Sequence, residues 1–186
     1  MGGYRIIKGV SMSKTAKYWL LSISIFTAAV SLSYFIGIRI NTSKSFPPGI
    51  YIVSKANSYK KNDLVLFCPP NKAVIQDAIE RGYIDTGRCE SGTVPIIKRI
   101  VGMSGDYVEF TPAVKINNSE LTGSIRLQVD GENRALPQLP PFTVSNNSFF
   151  AYSDHAPKNS FDSRYFGDVP IENIIGTIRP LALFPL

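Results

Sequence analysis

The chain has few of the side chains on which metal sites and histidine-based catalysis depend. Its 186 residues include one histidine, His155, and two cysteines, Cys68 and Cys89. A zinc site built from imidazole and thiolate ligands usually needs about three or four such groups. The composition therefore argues against a metal centre, and we expect the protein to work without a cofactor.

Acidic residues are absent from the N-terminal segment. The chain has a net charge of +6, and four basic residues with no acidic partner precede the first apolar run, which leaves +2 (6 − 4) for the remainder. These residues are Arg5, Lys8, Lys14 and Lys17. No later cluster of lysine and arginine alternates with aromatic residues, as a nucleic-acid-binding surface would require. The charge distribution thus argues against DNA or RNA as a partner.

Charge is also absent from the 21 residues Tyr18–Ile38. A helix needs roughly 20 apolar residues to cross about 30 Å of hydrocarbon, and Trp19 and Tyr34 suit the two membrane interfaces. The alternative is a cleaved secretory signal, which usually has a shorter apolar core and a small-x-small cleavage site. This run ends in Ile36-Gly-Ile-Arg-Ile40 instead, so we expect residues 18–38 to be a retained transmembrane signal-anchor helix.

The basic tail sets the expected orientation in the membrane. Positively charged flanks stay in the cytoplasm, so residues 1–17 should be cytoplasmic and residues 39–186 should form a domain on the outer side. Cys68 and Cys89 fall in that domain, where a disulfide is chemically permitted. Such a bond would contribute roughly 3 kcal/mol by closing a loop of about 20 residues. Two free buried thiols are the alternative.

The outer domain has the pattern of a mainly β fold with one short helix. Short runs rich in β-branched and aromatic residues are separated by Pro, Gly and Asn, which is typical of strands and turns. We predict strands at 49–53, 63–67, 94–101, 106–110, 148–152 and 175–178. Apolar residues at 74, 75, 78 and 79 follow helical spacing and predict a helix over Ala73–Arg81, which Gly82 would end. Residues 128–142, rich in Pro and polar side chains, should form a surface excursion.

Two residues could serve as a general base. His155 is followed by Ala-Pro in a polar segment, which is typical of an exposed turn. Lys98 lies in a predicted strand, on the same face as Ile96 and Ile100, where loss of hydration would lower its pKa and allow it to accept a proton from a serine. The alternative is an edge strand with two solvated basic residues, Lys98 and Arg99. Periodicity alone favours the edge strand, so another observation has to single out Lys98.

Three segments together resemble the type I signal peptidase superfamily. Ser43-Lys-Ser-Phe-Pro-Pro-Gly-Ile-Tyr51 resembles its nucleophile box, and Ile97-Lys-Arg-Ile-Val-Gly-Met-Ser-Gly-Asp-Tyr-Val108 resembles its lysine box. Asn159-Ser-Phe-Asp-Ser-Arg-Tyr-Phe-Gly-Asp-Val-Pro170 is similar to the box near its C-terminus. The boxes occur in the order found in the superfamily, after a single anchor. The resemblance implies a signal-peptidase-like β-barrel or sheet catalytic domain.

Details of these boxes resemble one branch more than the others. Ser45-Phe-Pro-Pro-Gly-Ile-Tyr51 and the segment Asp63–Pro70 are similar to the conjugative-transfer branch, the TraF-type peptidases that mature a pilin in type IV secretion. Housekeeping signal peptidases typically have Gly-Asp-Asn-Arg where this chain has Ser153-Asp-His-Ala, and a methionine where Phe46 stands. The expected substrate is therefore a pilin precursor, or another exported pre-protein, at the bacterial inner membrane.

The resemblance also implies a role for each matched residue. Ser45 would be the nucleophile and Lys98 its general base. Ser43 would donate a hydroxyl to the oxyanion hole beside the backbone N–H of Ser45. Ser160 would orient the lysine amine, and Asp162 and Arg164 would brace the site.

Other interpretations remain open from the sequence. A catalytically inactive envelope scaffold of a secretion apparatus could retain the same fold, and a general signal peptidase would share the three boxes. A hydrolase that depends on His155 is a third alternative. The sequence also does not distinguish hydrolysis of the acyl-enzyme from its transfer to the pilin's own terminus to form a cyclic product.

Overall fold

The computed structural model describes residues 12–43 and 45–184. The chain divides at Gly37 into two units, Met1–Gly37 and Ile38–Leu186. Most of the predicted basic tail, including Arg5 and Lys8, lies outside the described residues.

The first unit contains a single described helix, α1, over Lys14–Phe35. Ser13 caps its N-terminus, where the Ser13 Oγ accepts a hydrogen bond from the Ala16 N–H at 3.2 Å. The helix is long and apolar enough to cross a membrane, and none of its residues is buried within the protein. It begins four residues before the predicted span and ends before Ile38, because Gly37 has a φ of 91° and a strand begins at Ile38.

The second unit is mainly β, so the predicted fold class is confirmed. Within its described residues, seven strands form one sheet in the order β1-β2-β11-β3-β4-β9-β10, and four form another in the order β7-β6-β5-β8. The strands are β1 Ile38–Asn41, β2 Gly49–Ser54, β3 Leu64–Phe67, β4 Ile96–Met103, β5 Tyr107–Thr111, β6 Ala113–Ile116, β7 Ser119–Glu120, β8 Phe142–Thr143, β9 Ser148–Tyr152, β10 Val169–Pro170 and β11 Ile174–Leu183. All the strand pairs recorded in these two sheets are antiparallel.

Helices occupy little of this unit. The predicted helix over 73–81 is confirmed as α2, Ala73–Glu80, which buries Ile75 and Ala78 against the core. A single turn, α3, covers Ser163–Phe166, and two 3₁₀ turns cover Pro157–Asn159 and Ile171–Asn173. Residues 128–141 are mostly irregular, with one bridge between Val129 and Ala135, as expected of a surface excursion.

The core lies on both faces of the larger sheet. Along β9, Phe149 and Ala151 join one hydrophobic cluster, whereas Phe150 points to the other face and joins a cluster with the second sheet. Along β4, Ile100 packs in the first cluster and Ile97 in a third cluster beside Tyr51. A strand covered on both faces can bury side chains that point to either side, including polar ones. This arrangement determines the surroundings of Lys98.

A disulfide joins Cys68, directly after β3, to Cys89 in the loop between α2 and β4. The two residues are 21 positions apart in the sequence. The bond fixes one end of the α2 excursion to the sheet, and hydrogen bonds between Cys68 and Asn173 hold the same end to the start of β11.

The disulfide should contribute measurably to stability. Replacing both cysteines, Cys68→Ser with Cys89→Ser, should lower the free energy of unfolding by roughly 3 kcal/mol, because the unfolded chain regains the entropy of an open loop. Denaturant unfolding of the full chain in detergent, with and without reductant, measures the loss. Reductant should destabilise the native protein and leave the double variant unchanged. Equal unfolding midpoints for the oxidised and reduced native protein would contradict the prediction.

Candidate active site

Ser45 lies in a turn between β1 and β2, the first two strands of the larger sheet. Three hydrogen bonds hold the residues that follow it. The Asn41 Nδ2 donates to the carbonyls of Phe46 and Pro47, both at 3.0 Å, and the Tyr51 hydroxyl donates to the Pro47 carbonyl at 2.6 Å. Phe46 is buried against Tyr51, which anchors the turn in the third cluster. Ser45 itself remains partly exposed.

Lys98 lies in the middle of β4, which pairs with β3 on one side and β9 on the other. Its side chain is 2% exposed, so the edge-strand alternative is wrong. The alternation of the strand places Lys98 on the face of Ile100. Burial lowers the pKa of Lys98 from its ordinary value to about 8, the nearby Asp162 carboxylate opposes this change, and the Arg164 guanidinium adds to it. A large fraction of the amine is therefore neutral at mildly alkaline pH.

The amine and the serine hydroxyl are in direct contact. Lys98 Nζ donates a hydrogen bond to Ser45 Oγ over 2.9 Å, although 53 residues separate the two in sequence. When the amine is neutral, its lone pair can accept the serine proton over the same distance, which is the geometry required of a general base. The arrangement can thus generate a serine nucleophile without histidine.

Ser43 lies beside this pair. Its Oγ is 3.4 Å from Ser45 Oγ and donates a hydrogen bond to Asn41 Oδ1 over 2.8 Å. The Ser43 N–H donates to the same oxygen at 3.2 Å. Asn41 therefore holds the hydroxyl of Ser43 next to the serine that could attack a carbonyl.

Asp162 and Arg164 form an ion pair with exposed fractions of 0% for both residues. Arg164 Nε donates to Asp162 Oδ1 at 2.8 Å and Arg164 Nη2 donates to Asp162 Oδ2 at 3.0 Å, which is a two-pronged contact. The guanidinium also donates to the carbonyls of Ile125, Pro157 and Ser160. Every charge is compensated by a partner, so the pair can fix the loop that precedes α3.

Ser160 is buried near this pair, but its expected role has no hydrogen bond to support it. Among the described residues, Ser160 Oγ is the one buried side-chain polar atom without a hydrogen-bond partner. The hydroxyl does not hydrogen-bond the Lys98 amine in this structure. Orientation of the lysine by Ser160 accordingly stays a prediction.

His155 lies apart from the Ser45–Lys98 contact. Its side chain is exposed and its ring packs on that of Phe46, with 5.9 Å between the ring centres. Within the described part of the chain, no hydrogen bond joins His155 to Ser45 or to Lys98. The geometry favours lysine over histidine as the base.

Sequence reasoning missed Asn41 and Ser153. Asn41 was not singled out from the sequence, yet it lies at the end of β1 and braces the Ser45 turn. Ser153 Oγ donates to the Ser45 carbonyl over 2.5 Å. A single asparagine or serine carries no periodic signal, so only the departure from Gly-Asp-Asn-Arg at residue 153 could have drawn attention to the second residue.

No cluster of three or more His, Cys, Asp or Glu side chains that could hold a metal ion occurs among residues 12–43 and 45–184. The groups gathered around Ser45 are hydroxyls, one amine and one ion pair. They can activate a nucleophile and stabilise a developing oxyanion by hydrogen bonding.

Known proteins similar to this chain were found by sequence and by structure. Residues 12–182 match the family model described as signal peptidase, peptidase S26. The chain is 39% identical over 152 residues to a plasmid transfer protein TraF of Escherichia coli, covering 80% of this chain and 85% of that protein. It is 31% identical over 176 residues to a conjugal transfer protein TraF of Agrobacterium fabrum, covering 93% and 99%. Among solved structures, a signal peptidase I of Enterococcus faecalis matches with a TM-score of 0.38 and 23% identity, over 67% of this chain and 98% of that one.

The buried ion pair should be costly to break from one side. Arg164→Met leaves the Asp162 carboxylate buried without its counterion, so the free energy of unfolding should fall by about 3–5 kcal/mol. Denaturant unfolding measures this loss. Arg179→Met is the matched control, because Arg179 is exposed on β11 and its loss should change stability by no more than about 0.5 kcal/mol. Equal midpoints for the two variants would contradict a bracing role for Arg164.

Proposed function

The chain belongs to the signal peptidase family, peptidase S26, and from this premise we propose that it is a serine endopeptidase with Ser45 as nucleophile and Lys98 as general base. The observation that carries the proposal is the 2.9 Å contact between Lys98 Nζ and Ser45 Oγ. Lys98 is nearly fully buried, and burial lowers its pKa to about 8, which suits proton transfer near neutral pH.

The chemistry follows from these groups. Lys98 takes the Ser45 proton as Ser45 Oγ attacks the peptide carbonyl. The resulting oxyanion is stabilised by the Ser45 N–H and by the Ser43 hydroxyl, which turns to it from Asn41 Oδ1. Lys98 then donates the proton to the leaving amine, which departs and leaves an acyl group on Ser45. In the second half, Lys98 takes a proton from the incoming nucleophile and returns it to Ser45 Oγ as the acyl group leaves.

The substrate proposed is a pilin precursor. The relatives at 31–39% identity are named as plasmid or conjugal transfer proteins, which supports a role in conjugation. The incoming nucleophile is either water, which gives a linear product, or the precursor's own amine, which gives a cyclic one. Mass spectrometry of the product separates the two, because a cyclic product lacks the mass of one water molecule.

The proposed location is the bacterial inner membrane. Helix α1 is long and apolar enough to span it, and Lys14 and Lys17 at its beginning favour a cytoplasmic N-terminus. Residues 39–184 would then act on the periplasmic side, where the Cys68–Cys89 disulfide is chemically permitted.

Loss of either half of the Ser45–Lys98 pair should abolish processing. Ser45→Ala removes the nucleophile, and Lys98→Met removes the amine while keeping a chain of similar length in the core. Each variant should process the co-expressed pilin precursor at a rate reduced by at least roughly 10³-fold, comparable to losses on removing a nucleophile or its base in other serine enzymes. Immunoblotting of precursor and mature forms in membranes measures this.

Matched controls distinguish this result from a general loss of the protein. Ser58→Ala and Lys55→Met change exposed residues of the same types and should process normally. His155→Ala should also process the precursor, since His155 contacts neither Ser45 nor Lys98. Normal processing by Ser45→Ala would favour an inactive scaffold, and loss of processing only in His155→Ala would favour a histidine-based hydrolase.

The activity should rise with pH. The neutral amine is the active form and the pKa of Lys98 is about 8, so the cleavage rate should increase about tenfold per pH unit below pH 7 and level off above about pH 9. Single-turnover cleavage of purified pilin precursor from pH 6 to pH 9.5 measures the profile. A flat profile across this range would overturn the assignment of Lys98 as the base.

A further inference from the structure

Ser153 is a fully buried polar residue directly after β9, with an exposed fraction of 0%. Its hydroxyl donates a hydrogen bond of 2.5 Å to the carbonyl oxygen of Ser45, across 108 residues of sequence. Neither the proposed proton transfers nor the oxyanion contacts use this hydroxyl. The function of the bond therefore needs a separate explanation.

The Ser45 carbonyl belongs to the peptide unit that follows the nucleophile. Holding that unit fixes the backbone rotation ψ of Ser45, and with it the direction of the Cα–Cβ bond that carries Oγ. Asn41 and Tyr51 hold the next two carbonyls, those of Phe46 and Pro47, from the other side of the turn. Among the described residues, Ser153 provides the hydrogen bond to the carbonyl of the nucleophile itself.

Ser153 is in turn fixed from two sides. Its backbone N–H donates to Asp162 Oδ2 at 3.2 Å, so it is attached to the buried Asp162–Arg164 pair. The adjacent residue, Asp154, accepts a hydrogen bond from Arg99 Nε, and Arg99 is the neighbour of Lys98 on β4. The residues around 153 thus connect the strand that carries the base to the turn that carries the nucleophile.

We propose that Ser153 is a positioning residue that sets the backbone of Ser45 and thereby the distance between Ser45 Oγ and Lys98 Nζ. The inference rests on the proposed function and deepens it, because it names a group that acts through the nucleophile without touching the substrate. Displacing a reacting group by about 1 Å can reduce a rate by 10²-fold. Loss of the Ser153 hydroxyl should therefore lower the chemical rate more than it lowers substrate binding.

The test is single-turnover cleavage of purified pilin precursor by the full chain in detergent. Ser153→Ala should reduce the rate constant about 10- to 100-fold. The enzyme concentration for half-saturation and the midpoint of the pH profile should stay within about threefold and about half a pH unit of the native values. A variant that is merely less folded would keep the native limiting rate constant and would need a higher total enzyme concentration for half-saturation.

Ser124→Ala is the matched control. Ser124 is also 0% exposed, and its hydroxyl likewise donates to a backbone carbonyl at 2.5 Å, that of Leu121, beside the smaller sheet. The Ser124→Ala variant should lose about as much free energy of unfolding as Ser153→Ala, but it should keep the native rate constant. Ser153→Thr keeps a hydroxyl and should retain a rate within about threefold of the native value, even where the extra methyl group lowers the folded fraction.

Two results would overturn the inference. One is a native rate constant in Ser153→Ala, and the other is an equal rate loss in Ser124→Ala. Cleavage by Ser45→Ala in the same assay would overturn the nucleophile assignment, and with it this role for Ser153. A native rate constant in Ser153→Ala, alongside an inactive Ser45→Ala, would overturn this role alone.

Discussion

Withdrawal of the Lys98 amine from water is the constraint on which the site depends. A solvated lysine is almost fully protonated at neutral pH and cannot accept a proton from serine. Lys98 is buried, and its pKa is lowered, because β4 lies inside the larger sheet, between β3 and β9, with hydrophobic clusters on both faces. The order of the strands therefore determines the acid–base property of one side chain. Although β11 and β3 lie between β2 and β4 in the sheet, the Ser45 turn that precedes β2 reaches the amine, with 2.9 Å between Ser45 Oγ and Lys98 Nζ.

The sequence reveals this arrangement only in part. Alternation along 96–101 placed Lys98 with Ile96 and Ile100 on one face, and composition predicted a mainly β domain with one helix at 73–81, all of which the structure bears out. Periodicity could not distinguish an edge strand from a central one, because that depends on pairing with β3 and β9. Strand β3 is separated from β4 by the α2 excursion, and β9 is remote from β4 in the sequence. Resemblance to known peptidases, rather than pattern, selected Lys98.

Three features around Ser45 were not predicted from the sequence: strand β1, Asn41 and Ser153. Ile38, the first residue of β1, was included in the apolar run because Ile36 and Ile38 are as hydrophobic as the helix before them, yet the positive φ of Gly37 ends the helix there. Asn41 then becomes the last residue of a strand and braces the turn that contains Ser45. Ser153 donates its hydrogen bond to the carbonyl of Ser45, which is 108 residues away in the sequence. Such contacts depend on tertiary structure and leave no local signal.

The buried ion pair illustrates how a site can be braced without disturbing its base. A lone carboxylate at Asp162 would favour the protonated form of Lys98 and raise its pKa, which would remove the neutral amine that the proposed mechanism requires. The Arg164 guanidinium lowers the pKa of the same amine, and the net charge of the pair is zero. Seven hydrogen bonds donated by Arg164 and Ser153 hold the loop. Burial therefore has the largest effect on the pKa of Lys98. The rigidity of the loop and the low pKa of Lys98 are compatible because the bracing group is a pair and not a single charge.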